Sequence, residues 1–142
     1  MIKLILSFSL FFFAPTLFAT PESSDVSRKV ECLAKNMYFE ARGEGERGQL
    51  AVAHVTMNRV RAEGYPSRVC DVVYQKHQFS WTSMRLKIKN YALYEEMKQL
   101  AYAVLNGETE DPTKGATHFH SKHIRANWKL KPKARIGNHI FY

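Results

Sequence analysis

Three glycines within six residues, Gly43-Glu44-Gly45-Glu46-Arg47-Gly48, impose the strongest constraint on how this chain folds. A helix interior does not carry that density of glycine, because each one costs about 1 kcal/mol relative to alanine. The apolar patterns on either side must therefore belong to separate helices that meet at a sharp break. Before the break, Val26, Val30, Leu33, Met37 and Ala41 fall at steps of three and four. They predict a helix capped by Ser24 or Asp25 and running to about Arg42. After it, Leu50, Ala53, Met57 and Val60 predict a second helix over about Gln49–Glu63, with Gly64 just past its end.

Tyr65-Pro66 makes the next turn, and Ser67 is positioned to cap a short third helix with Val69, Val72 and Val73 inward. Gln78-Phe79-Ser80-Trp81-Thr82 has no helical period and reads as extended or loop. Asn90 then caps a long helix, with Leu93, Met97, Leu100, Ala101 and Val104 inward and Gly107 as its stop. Asp111-Pro112-Thr113-Lys114-Gly115 is turn chemistry. Beyond it, Ala116–His120 and Asn138–Tyr142 read as two short strands joined by a basic loop containing Trp128. The expected class is α+β, mostly α: about four helices with a small C-terminal β element, and no internal repeat.

The first 19 residues stand apart. Lys3 supplies a positive start, Leu4–Phe13 an apolar run, and Leu17-Phe18-Ala19 a small-residue cleavage site. Five of the chain's nine Phe lie there. We read 1–19 as a secretory signal, 20–24 as a short polar leader and 25–142 as one domain. No later stretch approaches the roughly 20 apolar residues of a membrane span, so no stable membrane insertion is expected after cleavage. An uncleaved anchor is the alternative. The expected location is the periplasm or cell envelope.

The charge, 21 Lys+Arg against 13 Asp+Glu, would ordinarily suggest nucleic acid. Export excludes that partner and favours extracytoplasmic polyanions such as cell-wall polymers. The densest basic run is Lys122, Arg125, Lys129, Lys131, Lys133 and Arg135, either a wall-contacting flank or a solvated loop. In an oxidising compartment the two cysteines, Cys32 and Cys70, are expected to form a disulfide. The rival reading, a Cys32 nucleophile, lacks a neighbouring histidine.

Glu40 is the first candidate for chemistry. It sits in the last turn of its helix, where the negative end of the helix dipole disfavours ionisation, and Tyr38 and Phe39 beside it add desolvation. A carboxyl group held protonated near neutral pH is what a general acid for glycosidic cleavage requires. Arg42 would oppose the shift, and a surface glutamate near a helix end is the plain alternative.

Motifs along the chain strengthen the candidate. They are Cys32-Leu33-Ala34 with Tyr38-Phe39-Glu40-Ala41-Arg42-Gly43-Glu44, then Gly48 through Val60, then Tyr65-Pro66 and Val69-Cys70-Asp71-Val72-Val73-Tyr74-Gln75. Gln78-Phe79-Ser80-Trp81, Asp111-Pro112-Thr113 with Gly115-Ala116-Thr117-His118-Phe119-His120, and Ile136-Gly137-Asn138-His139-Ile140-Phe141-Tyr142 follow. In this order they resemble the catalytic domain of SleB/CwlJ-type cell-wall hydrolases. The resemblance implies a lysozyme-like fold that cleaves MurNAc–GlcNAc bonds of peptidoglycan glycan strands, with Glu40 as catalytic acid. No metal and no cofactor are expected, and because uncontrolled wall cleavage is lethal a regulatory wall protein is expected as control.

A hydrolase commonly needs a second carboxylate as base or nucleophile, whereas a lytic transglycosylase works with one acid. Glu44 and Glu46 are the nearby acids, Asp71 and Asp111 the distant ones. The single-acid transglycosylase is the favoured expectation and a muramidase the alternative. Tyr38, Phe39, Gln78, Phe79, Ser80 and Trp81, with Thr117, His118 and Phe119 opposite, are expected to line the sugar groove. A zinc amidase or peptidase using His118 and His120 with a third ligand, in the run His118-x-His120-x-x-His123, is a rival enzyme, and a non-catalytic wall-binding module a rival of another kind. His54 and Asn58 share a helix face, with His54 read as a core histidine and Arg59 as the partner of an acid.

Overall fold

The break forms at the glycines and divides two long helices. The computed structural model describes residues 21–142, so the predicted signal 1–19 lies outside the described residues. Helix α1 spans Pro21–Ala41 and α2 spans Glu46–Arg61. The start of α1 precedes the predicted cap, so the expected leader is helical from Pro21 onward. Proline is compatible with a first helical position, and Glu22 lies in the first turn where the dipole favours an acid. Likewise α2 starts three residues before the expected Gln49 and takes Gly48 into its first turn. A Cβ at Gly48 would stand 2.7 Å from the Cβ of Glu44, so this glycine permits a close approach of loop and helix.

Helix α3, Val69–Val73, begins after Arg68 with no side-chain cap, so Ser67 does not cap it. The aperiodic stretch is a single 3₁₀ turn, Ser80–Ser83, closed by Thr82 Oγ1 donating to the Phe79 carbonyl at 2.8 Å. Helix α4, Tyr91–Leu105, is capped as predicted, with Asn90 Oδ1 accepting from Leu93 N at 3.1 Å. Three strands complete the domain: β1 Phe119–Ser121, β2 Ala134–Ile136 and β3 His139–Phe141. They form an antiparallel sheet in the order β1-β3-β2, with Phe141 opposite both Phe119 and Ala134. Two of these strands fall in or beside segments predicted as strands. Strand β2 was not expected, because three residues inside a basic loop carry no alternation to read.

Helix α2 occupies the centre. Ala51, Val52, Ala53 and Val55 are fully buried. Ala53 and Met57 pack with Leu33 and Met37 of α1 and with Met97 and Ala101 of α4. On the other side, Ala51 and Val55 pack with Ala116, Ile136 and Phe141. The sequence predicts one apolar stripe on this helix; the sheet covers a second face, and small residues let both layers approach. A buried polar chain joins α1, α2 and the 3₁₀ turn: Trp81 Nε1 donates to Asn36 Oδ1 at 3.0 Å, and Asn36 Nδ2 to Thr56 Oγ1 at 3.1 Å. Every member is satisfied, so the network locks the 3₁₀ turn at one position. No helix among the described residues is long and apolar enough to cross a membrane.

Cys32 and Cys70 are bonded, with their Cα atoms 5.3 Å apart, tying α1 to α3 across a sequence separation of 38. Closing a loop of that length removes unfolded-chain entropy worth about 3–4 kcal/mol. The paired substitution Cys32→Ser with Cys70→Ser is therefore expected to lower unfolding free energy by about that amount. Urea denaturation of the oxidised protein and of the double variant measures it.

Candidate active site

An open cleft of about 880 Å³ lies where the ends of α1 and α2, the 74–83 segment and the sheet converge. Glu40 from α1 and Arg59 from α2 form part of its floor, with Gln78, Phe79 and Ser80 on one wall and Phe119, His120 and His139 on the other. Burial raises the Glu40 carboxyl above its ordinary value of 4.5, and the positive charge of Arg59 partly opposes the shift. The direction is the one expected. The opposing charge is Arg59; Arg42 instead stands over the Tyr38 ring, 5.6 Å from its centroid.

Glu44, four residues on, has a different environment. Both its carboxylate oxygens accept from Asn138 N, at 3.3 and 3.2 Å, which ties the glycine loop to the β2–β3 turn. Its Oε1 lies 3.8 Å from Nδ1 of His139. Gly137, at φ +56°, turns the chain beneath this carboxylate, and a Cβ there would collide with Glu44 Oε2. The two distant acids are also committed elsewhere. Asp111 accepts from Asn58, Thr113 and Gly115, which holds its carboxyl below the usual range, and Asp71 pairs with Arg68. Glu46 lies exposed in the first turn of α2. Among the described residues Glu40 is the one carboxylate that lines the cleft.

Of the predicted groove residues, Gln78, Phe79, Ser80 and Phe119 do line it. Tyr38 and Trp81 lie in the core beneath it. The Tyr38 hydroxyl accepts from the backbone N–H groups of Lys89 and Asn90 at 3.1 and 3.0 Å, and Trp81 is spent on Asn36. Phe39 stacks on Trp81 with ring centres 4.8 Å apart. These three side chains support the wall from behind, because an aromatic beside a loop serves packing as readily as stacking on sugar. Thr117 and His118 immediately precede β1 and do not line the cleft: the Thr117 carbonyl accepts from Arg59, and the Thr117 hydroxyl meets His118 Nδ1 at 2.9 Å.

Two of the three histidines considered for zinc have protein partners. His118 Nε2 faces the Tyr65 hydroxyl at 3.4 Å, and His120 joins the Ser121 carbonyl and the Tyr142 hydroxyl at 2.7 and 2.8 Å. His123 is exposed, and no group of three histidine, cysteine or acidic residues among those described is close enough to hold a metal ion. His54 is buried as expected, its Nε2 meeting Thr109 Oγ1 at 2.9 Å, while Asn58 stitches α2 to the 111–116 turn. Arg59, Lys76, His77, His120 and His139 are cleft residues that sequence reasoning missed. The sequence names Arg59 only as the partner of an acid and His120 only as a zinc candidate, because periodicity carries no distance between elements.

The chain belongs to the cell wall hydrolase family, which it matches over residues 43–142, a segment that begins just beyond Glu40. Among particular proteins, it is 30% identical over 119 residues to a spore cortex-lytic enzyme of Halalkalibacterium halodurans, covering 79% of this chain and 34% of that protein. It spans only about a third to under a half of the length of the spore cortex-lytic enzymes it matches. The fold is similar to the catalytic domain of Bacillus cereus SleB, with a TM-score of 0.67, 28% identity, and coverage of 80% of this chain and 88% of that one. It is also similar to the catalytic domain of the germination-specific lytic transglycosylase SleB of Bacillus anthracis. There the TM-score is 0.62 and the identity 26%, over 90% of this chain and 98% of that one.

Two stability predictions follow from these environments. Because the folded Glu40 carboxyl titrates above 4.5, the native state holds its proton longer than the unfolded chain does. Its contribution to stability therefore declines as pH rises from its ordinary value through the raised one. Glu40→Gln should melt higher than wild type at pH 8, and the gap should close by about pH 4. Gly137→Ala should cost about 1–3 kcal/mol in urea unfolding, because the left-handed backbone and the Glu44 contact both resist a Cβ. Combining it with Glu44→Ala should add less than the sum of the two single losses.

Proposed function

We propose that this chain cleaves the MurNAc–GlcNAc bonds of peptidoglycan glycan strands as a lytic transglycosylase, with Glu40 as its single acid and base. The observation that carries the reading is the solitary carboxylate of the cleft. A glycosidase that activates water or forms a covalent intermediate needs a second carboxyl group about 5–10 Å from the first. Glu44, the nearest acid in sequence, is occupied by the β2–β3 turn. Membership of the cell wall hydrolase family, and the likeness to a protein described as a lytic transglycosylase, support the same reading.

One carboxyl group suffices for this chemistry. Protonated Glu40 delivers its proton to the glycosidic oxygen as the C1–O bond breaks, and positive charge develops at the sugar. The carboxylate then takes the proton from the C6 hydroxyl of the same sugar, whose oxygen closes onto C1 as a 1,6-anhydro ring. No water is consumed, and Glu40 ends protonated for the next turnover. Burial favours the neutral starting acid, and the Arg59 charge favours the carboxylate that forms. Gln78 and Ser80 supply polar contacts to sugar hydroxyls, while Phe119 supplies apolar surface for a pyranose face above the buried Phe79.

The substrate places the protein outside the cytoplasm, in line with the export signal predicted at residues 1–19, and a regulatory wall protein would restrain the activity. Incubation of the mature protein with purified sacculi should release muropeptides lighter by one water than reducing-end products. Mass spectrometry reads that difference, and products carrying only reducing ends would establish a muramidase instead. Glu40→Gln should lower release by roughly 10²–10⁴-fold while remaining folded. Sacculus binding without release by wild type would favour a binding module, and loss of release with EDTA, restored by zinc, a metal enzyme.

A further inference from the structure

Arg59 is a cleft residue whose charged donors the protein leaves incompletely used. It is only 5% exposed, and three neighbours hold its guanidinium. Its Nε donates to the Thr117 carbonyl at 2.7 Å, and its Cζ lies 5.2 Å from the Phe79 ring centre and 5.6 Å from that of Tyr65. Yet Nη1 is buried and meets no acceptor among the described residues. Glu40 does not fill the role. The two share the cleft floor, and their charges act on one another, but no ion pair or hydrogen bond joins them.

A buried charged donor without a partner costs more than a neutral one, and folded proteins seldom tolerate it without a reason. Here the cost falls on a side chain already fixed by two rings and a carbonyl, so it loses little further freedom on binding. Guanidinium nitrogens only donate, so the missing partner is an acceptor. On an amino-sugar strand the strong acceptors are the acetamido carbonyl and the carboxylate of a lactyl substituent; both present an sp² oxygen.

We propose that the free Nη1 of Arg59 binds such a carbonyl or carboxylate oxygen, making Arg59 a substrate-binding residue beside Glu40. The proposal rests on the glycan-cleaving reading of the cleft and names the contact that holds the sugar there.

The test measures affinity in the Glu40→Gln background, where glycan is held without turnover. Isothermal titration with N-acetylglucosamine tetramer and with peptide-free GlcNAc–MurNAc strands provides two arms. Adding Arg59→Gln, or Arg59→Lys, should weaken binding roughly 10–100-fold, since a lysine cannot serve Thr117 and the ligand together. Thermal melts identify the folded variants, and the lysine variant carries the test if the glutamine variant does not fold. Equal losses in both arms assign the acetamido carbonyl. A loss confined to the muramyl strand, and steepest at low salt, assigns the lactyl carboxylate. Affinities within twofold of the parent in both arms overturn the proposal. Glycan release by the Glu40→Gln parent would overturn only the role of Glu40, because the Arg59 result is read from affinity. Failure of wild type and parent alike to bind either glycan would overturn both.

Discussion

Burial of α2 on two opposite faces is the constraint from which the rest of the structure follows. One face meets α1 and α4, and the other meets the three-stranded sheet. A helix held on both sides cannot rotate to accommodate a polar residue, so the polar side chains it buries are held in place by fixed partners. Asn58 finds Asp111 and the Ala116 carbonyl, Thr56 finds Asn36, and Arg59 finds the Thr117 carbonyl. These bonds set where the 111–117 segment crosses the helix, and hence where β1 begins. The cleft is the space left between that sheet and the end of α1.

The two glutamates on either side of the helix end show how environment divides like residues between roles. Glu40 loses water without gaining an ion pair, so its neutral form is favoured. Glu44 accepts two hydrogen bonds from one backbone N–H and sits over a glycine with no side chain to displace it. One carboxyl group is left available for proton transfer, while the other fastens the glycine loop to the sheet. Coupling of this kind places the catalytic candidate and the far wall of the cleft on one rigid frame.

The aromatic residues follow a similar division. Trp81 and Tyr38 turn their polar atoms inward to Asn36 and to the backbone at 89–90, and so brace the segment that presents Gln78, Phe79 and Ser80. A groove assembled this way is stiff because its supports are buried.

Much of this was legible in the chain itself. Periodicity located four helices, glycine density located the break between the first two, and the helix-end position of Glu40 pointed to a raised carboxyl. The cysteine pair could be read because its chemistry depends on the compartment more than on shape. What tertiary structure alone decided was which polar groups meet across elements. Periodicity reports one face of one element and carries no distance between elements. Nothing along the chain could say that Glu44 reaches Asn138, that Trp81 turns away from the cleft, or that Arg59 lies beside Glu40 with a donor unspent. Those outcomes depend on long-range contacts, which form only when the helices, the 3₁₀ turn and the sheet are packed together.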